Sequence, residues 1–160
     1  MKADALLIQD HQVLRSVLAQ LQESTSDQVS QRRELLDRLL FELDVHVHIE
    51  DELFYPAVRE VSPLFGIAHA EHRQIDDQLA VLFRTDPAGN DFQVEARMLA
   101  ETVEHHAGEE EQEMFPQSHA LGEAALEALG QQMAERQQHL KNSAVTKLRL
   151  QIKRETLRRL

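Results

Sequence analysis

The chain has 160 residues, 42% hydrophobic and 28% charged but only 4% aromatic, with five Gly, four Pro, no Cys and a formal net charge of −11. This length suits one domain with a sizeable core, and the lack of Cys excludes disulfides, thiolate-bound zinc and iron–sulfur clusters, so any metal must be held by nitrogen and oxygen. The acidic balance argues against a nucleic-acid surface, no apolar run of about 18 residues marks a membrane span, and the polar start Met1–Ala5 leads straight into a helical pattern, reading as a cytoplasmic protein without a cleaved signal.

Plentiful aliphatics with few aromatics, Gly and Pro favour helix. The first helix is expected from about Asp4 to Leu21, where Leu7, His11, Leu14, Leu18 and Leu21 recur at threes and fours and place His11 inside the apolar stripe. After a break at Ser24–Asp27, the second helix carries Leu36, Leu39, Leu43, His46, Glu50 and Leu53 on one stripe. Pro56, which lacks an N–H, bends or ends it. Beyond Ser62–Pro63 and Gly66, a third helix from about Ile67 to Phe83 aligns Ala68, His72, Ile75, Leu79 and Leu82. Thr85–Asn90 is the clearest turn, with Asn90 and Gln93 as an expected capping pair. The fourth helix brings Ala96, Leu99, Val103, His106 and Glu110 into register and closes near Pro116. Short connections between four amphipathic helices predict an all-α, antiparallel up-down-up-down four-helix bundle over residues 1–120. Beyond Gly122 a further helix, interrupted near Asn142–Ser143, makes a C-terminal extension over residues 121–160.

One stretch occurs twice. His46-Val47-His48-Ile49-Glu50 through Phe54-Tyr55-Pro56 returns as His106-Ala107-Gly108-Glu109-Glu110 through Met114-Phe115-Pro116, in the frame H-x-x-x-E-x-x-x-x-[YF]-P. His and Glu at i and i+4 lie on one helix face, so each copy is half of a metal site. His11, after Asp10, and His72, after Glu71, extend the repeat at an offset of 61 residues, against 60 for His46 to His106. The candidate metal ligands are therefore His11, His46, Glu50, His72, His106 and Glu110, all on core stripes that carry no Lys or Arg. Unpaired buried carboxylates cost several kcal/mol, which a divalent cation pair relieves while fixing neutral imidazoles as donors. His48 is about 200° around the helix from His46 and points to solvent, and His105 is about 100° from His106, at most beside the site. His119 and His139 lie outside the frame. Asp51, Glu52, Glu109 and Glu111 read as a solvated face, and Tyr55 as packing ahead of a hydrogen bond near the centre.

On these motifs the chain resembles the hemerythrin-like, or HHE cation-binding, family over roughly residues 4–118. The resemblance implies a four-helix bundle with a non-haem di-iron centre. His-x-x-x-Glu with more His than Glu differs from the Glu-x-x-His pattern of ferritin-like proteins. Four His, two bridging carboxylates and an oxo or hydroxo bridge leave two of twelve coordination positions on two iron ions open for water, dioxygen, peroxide or nitric oxide; manganese or zinc also suits such a site. The implied function is binding or sensing of dioxygen, a related small ligand or iron, rather than enzymatic. The alternatives are a di-iron peroxidase or catalase-like enzyme handling peroxide or nitric oxide, and a bundle with structural metal and a partner-recruiting tail. Animal oxygen carriers of the family use a His pair at i and i+4 on the third helix. Here His69 and His72 are three apart and the first-half counterpart of His69 is Ile8, so His69 is read as packing or an outer hydrogen bond ahead of a seventh ligand.

From residue 141 onward there are seven Lys/Arg and one acid, which leaves −17 on the preceding 140 residues. Val145, Leu148 and Ile152 share one face, surrounded by Lys147, Arg149, Lys153, Arg154, Arg158 and Arg159. This tail is expected to pack on the chain's own acidic bundle, or on a second subunit as a homo-oligomer contact, ahead of an anionic membrane surface.

Overall fold

The computed structural model describes residues 1–159, and these are all-helical, with no strand among them. Four long helices, α1 (Ala3–Glu23), α2 (Val29–Ile49), α4 (Phe65–Arg84) and α5 (Asp91–Glu109), carry the four apolar stripes. Short α3 (Tyr55–Val58) and α6 (Phe115–Ser118) continue α2 and α5 beyond one wide turn each, and α7 (Glu123–Asn142) and α8 (Ala144–Arg159) follow, separated at Ser143 as expected. α1 packs on α2, α5 and α7, α4 packs on α5 and α8, and α8 also touches α2. No described helix is long and apolar enough to cross a membrane.

Every stripe residue expected inside is buried, apart from a half-buried Leu53. The apolar core divides in two. One cluster holds Leu14, Leu18, Leu39, Leu79, Phe92 and Leu99, the other Leu7, Ile49, Phe54, Ala68, Met114 and Met133. On each long helix the candidate ligand lies where the chain passes from one cluster to the other: His11 between Leu7 and Leu14, His46 between Leu43 and Ile49, His72 between Ala68 and Ile75, His106 between Val103 and Met114. A single polar layer thus lies between two apolar walls.

Both prolines of the repeat act in the same way. A proline cannot donate to the carbonyl four residues back and its ring crowds that carbonyl. The chain answers with a π turn at Glu50–Phe54 and again at Glu110–Met114, in which Tyr55 N–H bonds to Glu50 O and Phe115 N–H to Glu110 O. The helices continue beyond Pro56 and Pro116 to Val58 and Ser118, so neither proline ends its helix.

Three details depart from expectation. Asn90 makes no side-chain cap, and Gln93 instead donates to Gln22 O at 2.6 Å. Arg32, which extends the α2 stripe, is buried, but far from the polar layer: it donates to Ser24 Oγ and O and to Pro87 O, with Phe92 under its guanidinium. The tail docks on the acidic body, with Arg149 on Asp44, Lys153 on Asp76, and Arg154 and Arg158 on Asp37. Its inner face, however, is Thr146 and Leu150, while Val145, Leu148 and Ile152 turn outward. The ion pairs decide the orientation, because α2 and α4 present aspartates at the contact.

Candidate metal centre

The structure brings His11, His46, Glu50, His72, His106 and Glu110 into one buried cluster, with Glu50 wholly inaccessible. They form two groups whose donor atoms lie within 4.8 Å of one another, His11, His46, Glu50 and Glu110 on one side, and Glu50, His72 and His106 on the other. Glu50 joins the groups: Oε1 is 3.2 Å from His46 Nε2 and Oε2 is 3.0 Å from His72 Nε2. Glu110 Oε2 lies 3.3 Å from His11 Nε2 and 3.6 Å from His106 Nε2. His11 Nε2, His46 Nε2, Glu50 Oε1 and Glu110 Oε2 are nevertheless buried without a hydrogen-bond partner, because their lone pairs converge on common points instead of on one another's protons. Orphaned polar atoms in an apolar wall are costly. A cation between them removes that cost, and two groups sharing Glu50 fit two ions.

The repeat appears in space as a near-symmetric site. In each half two imidazoles meet edge to face, His11 with His46 at 4.9 Å and His72 with His106 at 4.8 Å between ring centres. All four rings aim Nε2 inward and have a carboxylate on the Nδ1 side. Glu111 and Glu71 lie 2.8 Å from His11 and His106, and Asp10 and Asp51 lie 3.5 Å from His46 and His72. Such outer carboxylates fix the ring and make Nε2 a better donor. Asp51 and Glu111, read from the sequence as a solvated face, therefore belong to the site. The doublets Asp10-His11 and Glu71-His72, and the acid following each Glu of the frame, were the available signal. Helical geometry alone does not show that the acid before one His serves the other His of its half, while the acid after Glu serves the opposite half.

The halves differ at one position of the frame. Phe115 stacks on His11 at 5.8 Å, whereas Tyr55 stacks on His72 at 5.5 Å and donates its hydroxyl to Glu110 Oε1 at 2.7 Å. The same hydroxyl is 3.0 Å from His72 Nε2. Five residues after Glu50 on an α-helix, Tyr55 would point about 140° away. The π turn returns it to the same side, so that its hydroxyl reaches the centre.

The remaining histidines are placed outside. His48 bonds to Asp44 O, His119 to Asp4, and exposed His105 faces Glu71, the partner of His106. His69 does not reach the cluster; its Nδ1 meets Asp51 Oδ1 at 3.0 Å.

Without metal the cluster holds protons. Burial opposes charge on His72, but Asp51 and Glu50 outweigh it and push the imidazole up to about 10. His11 is likewise raised against burial, by Glu110, Glu50 and Glu111. Burial works against Glu50 as well, yet His46, His72 and His106 hold its carboxyl well below the usual range. Burial together with Glu50 and Glu110 raises the Tyr55 phenol, keeping it protonated. Metal binding therefore displaces protons.

Two cavities approach the centre. One of 340 Å³ has Tyr55, Asp51 and His69 in its wall, and another of 170 Å³ runs beneath α8 and reaches His72.

Residues 2–118 match the family described as Hemerythrin HHE cation binding domain. Over 160 residues, and 99% of both chains, the protein is 36% identical to uncharacterized protein Rv2633c of Mycobacterium tuberculosis and to uncharacterized protein Mb2666c of Mycobacterium bovis. The fold superposes with a TM-score of 0.84, at 38% identity and 93% coverage of each chain, on the crystal structure of a hemerythrin HHE cation binding domain-containing protein, the Rv2633c homolog from Mycobacterium kansasii. The chain belongs to the hemerythrin HHE cation-binding family.

Proposed function

We propose that this protein holds two iron ions through His11, His46, Glu50, His72, His106 and Glu110, and binds or senses dioxygen or a related small ligand there. The observation that carries the reading is the convergence of buried Nε2 and carboxylate oxygens in two groups that share Glu50, with His11 Nε2, His46 Nε2, Glu50 Oε1 and Glu110 Oε2 of the first group unpartnered. In this proposal the site sits in an antiparallel up-down-up-down four-helix bundle of residues 1–120, with residues 121–160 as an appended unit. Supporting that topology, α1 and α4 run from the Leu7–Ala68 cluster toward the Leu14–Leu79 cluster, while α2 and α5 run the other way.

Iron bound in such a site supplies a redox couple and open coordination positions. The chain supplies the rest. The rings of His11 and His106 are held by Glu111 and Glu71 at hydrogen-bond distance, those of His46 and His72 have Asp10 and Asp51 at 3.5 Å, and the walls of Leu, Ile, Phe and Met exclude bulk water. Phe115 closes one half with an apolar ring, and Tyr55 places a hydroxyl proton in the other. The small cavity beneath α8 reaches His72 between an apolar wall of Leu40, Leu43, Val47, Ile75 and Leu79 and the ion-paired side chains Asp44, Arg149, Asp76 and Lys153.

A second reading, peroxide handling by an enzyme, is favoured by Tyr55 alone, because a phenol held protonated beside Glu110 and His72 is a proton donor that a simple carrier does not require. Anaerobic iron-loaded protein mixed by stopped flow with dioxygen, and separately with peroxide, distinguishes the two. A reversible spectral change with dioxygen supports binding or sensing. Sustained peroxide consumption that falls in Tyr55→Phe supports the enzyme, and no response to either ligand contradicts both.

A further inference from the structure

We propose that Asp51, His69 and the Nδ1 edge of His72 form a loading site where a divalent metal ion is captured before it passes inward; this rests on the reading of the six buried residues as the metal centre. Three observations meet at this place. His69, 57% exposed, and Asp51 line the mouth of the 340 Å³ cavity whose inner wall includes Tyr55. His69 Nδ1 lies 3.0 Å from Asp51 Oδ1, and His72 Nδ1 lies 3.5 Å from that same oxygen. His72 is more than nine-tenths buried, and its Nδ1 has no hydrogen-bond partner although it is aimed at this pair.

The spacing suits an ion. Neighbouring donors on an octahedral cation with bonds of about 2.1 Å stand about 3 Å apart, which small side-chain movements would satisfy here. The cavity leaves space for the waters that a divalent ion keeps on first capture. Arg59 also lines it, but its Nε is turned to Glu60 Oε1 at 3.3 Å.

The geometry also supplies a path. His72 Nε2 faces Glu50 Oε2 at 3.0 Å, while Nδ1 faces Asp51, which lines the cavity, so one imidazole adjoins both the loading site and the centre. His72 is the least covered of the four inner histidines, 6% exposed against 1–3% for the others. The group formed by Glu71, His105 and Glu109 lacks these features: Glu71 Oε2 is already taken by His106, and no buried unpartnered nitrogen points toward it. The exposed His69, which contributes nothing to the centre directly, acquires a role as the outermost donor.

The test follows the rate of metal uptake separately from its extent. Metal-free full-length protein is mixed anaerobically with cobalt(II), whose absorption reports ligation, and in parallel with ferrous iron, and the final content is measured after desalting. His69→Ala and His69→Asn are expected to load about tenfold more slowly than wild type, the scale on which a metal-site contact acts, and to reach the same final content. His105→Ala is expected to load at the wild-type rate. Asn keeps an N–H donor for Asp51, so wild-type loading by His69→Asn would reduce His69 to a hydrogen-bond partner and overturn the proposal. Unchanged loading in His69→Ala, or equal slowing in His105→Ala, overturns it as well. Failure of the wild-type protein to take up metal at all is a failure of the centre, visible before any variant is compared.

Discussion

Glu71 offers a graded test of how the outer carboxylates act. Its Oε2 accepts a 2.8 Å hydrogen bond from His106 Nδ1, with both residues buried. A charged acceptor this short in a dry setting is at the strong end for hydrogen bonds. Removing such a partner of a metal-bound imidazole typically lowers metal affinity 10- to 100-fold, about 1.4 to 2.7 kcal/mol, and Glu71→Ala should fall in that range. Asp10 occupies the equivalent place beside His46, but at 3.5 Å, with both of its oxygens taken up by Gln137 Nε2 at 2.8 and 2.9 Å. Asp10→Ala should therefore cost less than about threefold, as weak or shared ion contacts do. Competition against a chromogenic chelator, with cobalt(II) as the probe, gives both affinities. In metal-free protein, Glu71→Ala should also lower stability by about 1–3 kcal/mol, since it leaves a buried ring nitrogen unpaired. Equal losses in the two variants, or no loss in Glu71→Ala, would refute the claim that distance and burial rank these contacts.

Further outcomes are expected. Because the metal-free His72 is raised to about 10 from an ordinary value near 6.5, its contribution to stability is fully present below about pH 6.5 and lost as pH rises through about 10. Metal-free wild type should therefore lose more thermal stability between pH 7 and 10 than His72→Gln, and parallel melting profiles would contradict this. Gly130→Ala should destabilise the fold by about 1–3 kcal/mol in urea titrations, because a methyl there overlaps the backbone at Met1 and crowds Ala3 N; a neutral effect would mean that α7 does not press on the chain start. Arg149→Ala should cost about 1 kcal/mol after allowance for its partial exposure, more than Lys153→Ala, since Arg149 grips nearly buried Asp44 with two hydrogen bonds while Lys153 meets an exposed Asp76. Equal costs in denaturant titrations would contradict this ranking of the two ion pairs. Deleting residues 141–160 should leave metal content unchanged, and loss of metal in that variant would tie the extension to the centre.

The stripes were legible because a buried histidine inside an amphipathic helix obeys the same threes and fours as the leucines around it. His11, His46, His72 and His106 needed no tertiary information beyond that rule. The doubled frame added Glu50 and Glu110, which recur at the same spacing in both halves and are both buried in the cluster. Three things were not legible, each for a separate reason. Tyr55 was hidden by the π turn, which changes the helical phase after Glu50 and is caused by a proline that otherwise reads as a stop. Asp51 and Glu111 were hidden because each serves a His from the other half of the repeat, a relation that packing creates and sequence spacing does not contain. The outward turn of Val145, Leu148 and Ile152 was hidden because hydrophobicity gave the wrong inner face: Asp37 and Asp44 of α2 draw the arginines inward and Asp76 of α4 draws Lys153.

Metal content per chain tests the central claim most directly. Protein reconstituted with ferrous iron under anaerobic conditions, desalted and assayed against its concentration, should hold two ions per chain, with Glu50→Gln and Glu110→Gln sharply depleted and Glu52→Gln unaffected. Glu50 joins the two groups and Glu110 faces an imidazole of each half, whereas Glu52 lies at the surface paired with Arg136. One ion or none per correctly folded wild-type chain, or equal depletion in all three variants, would contradict the dinuclear centre.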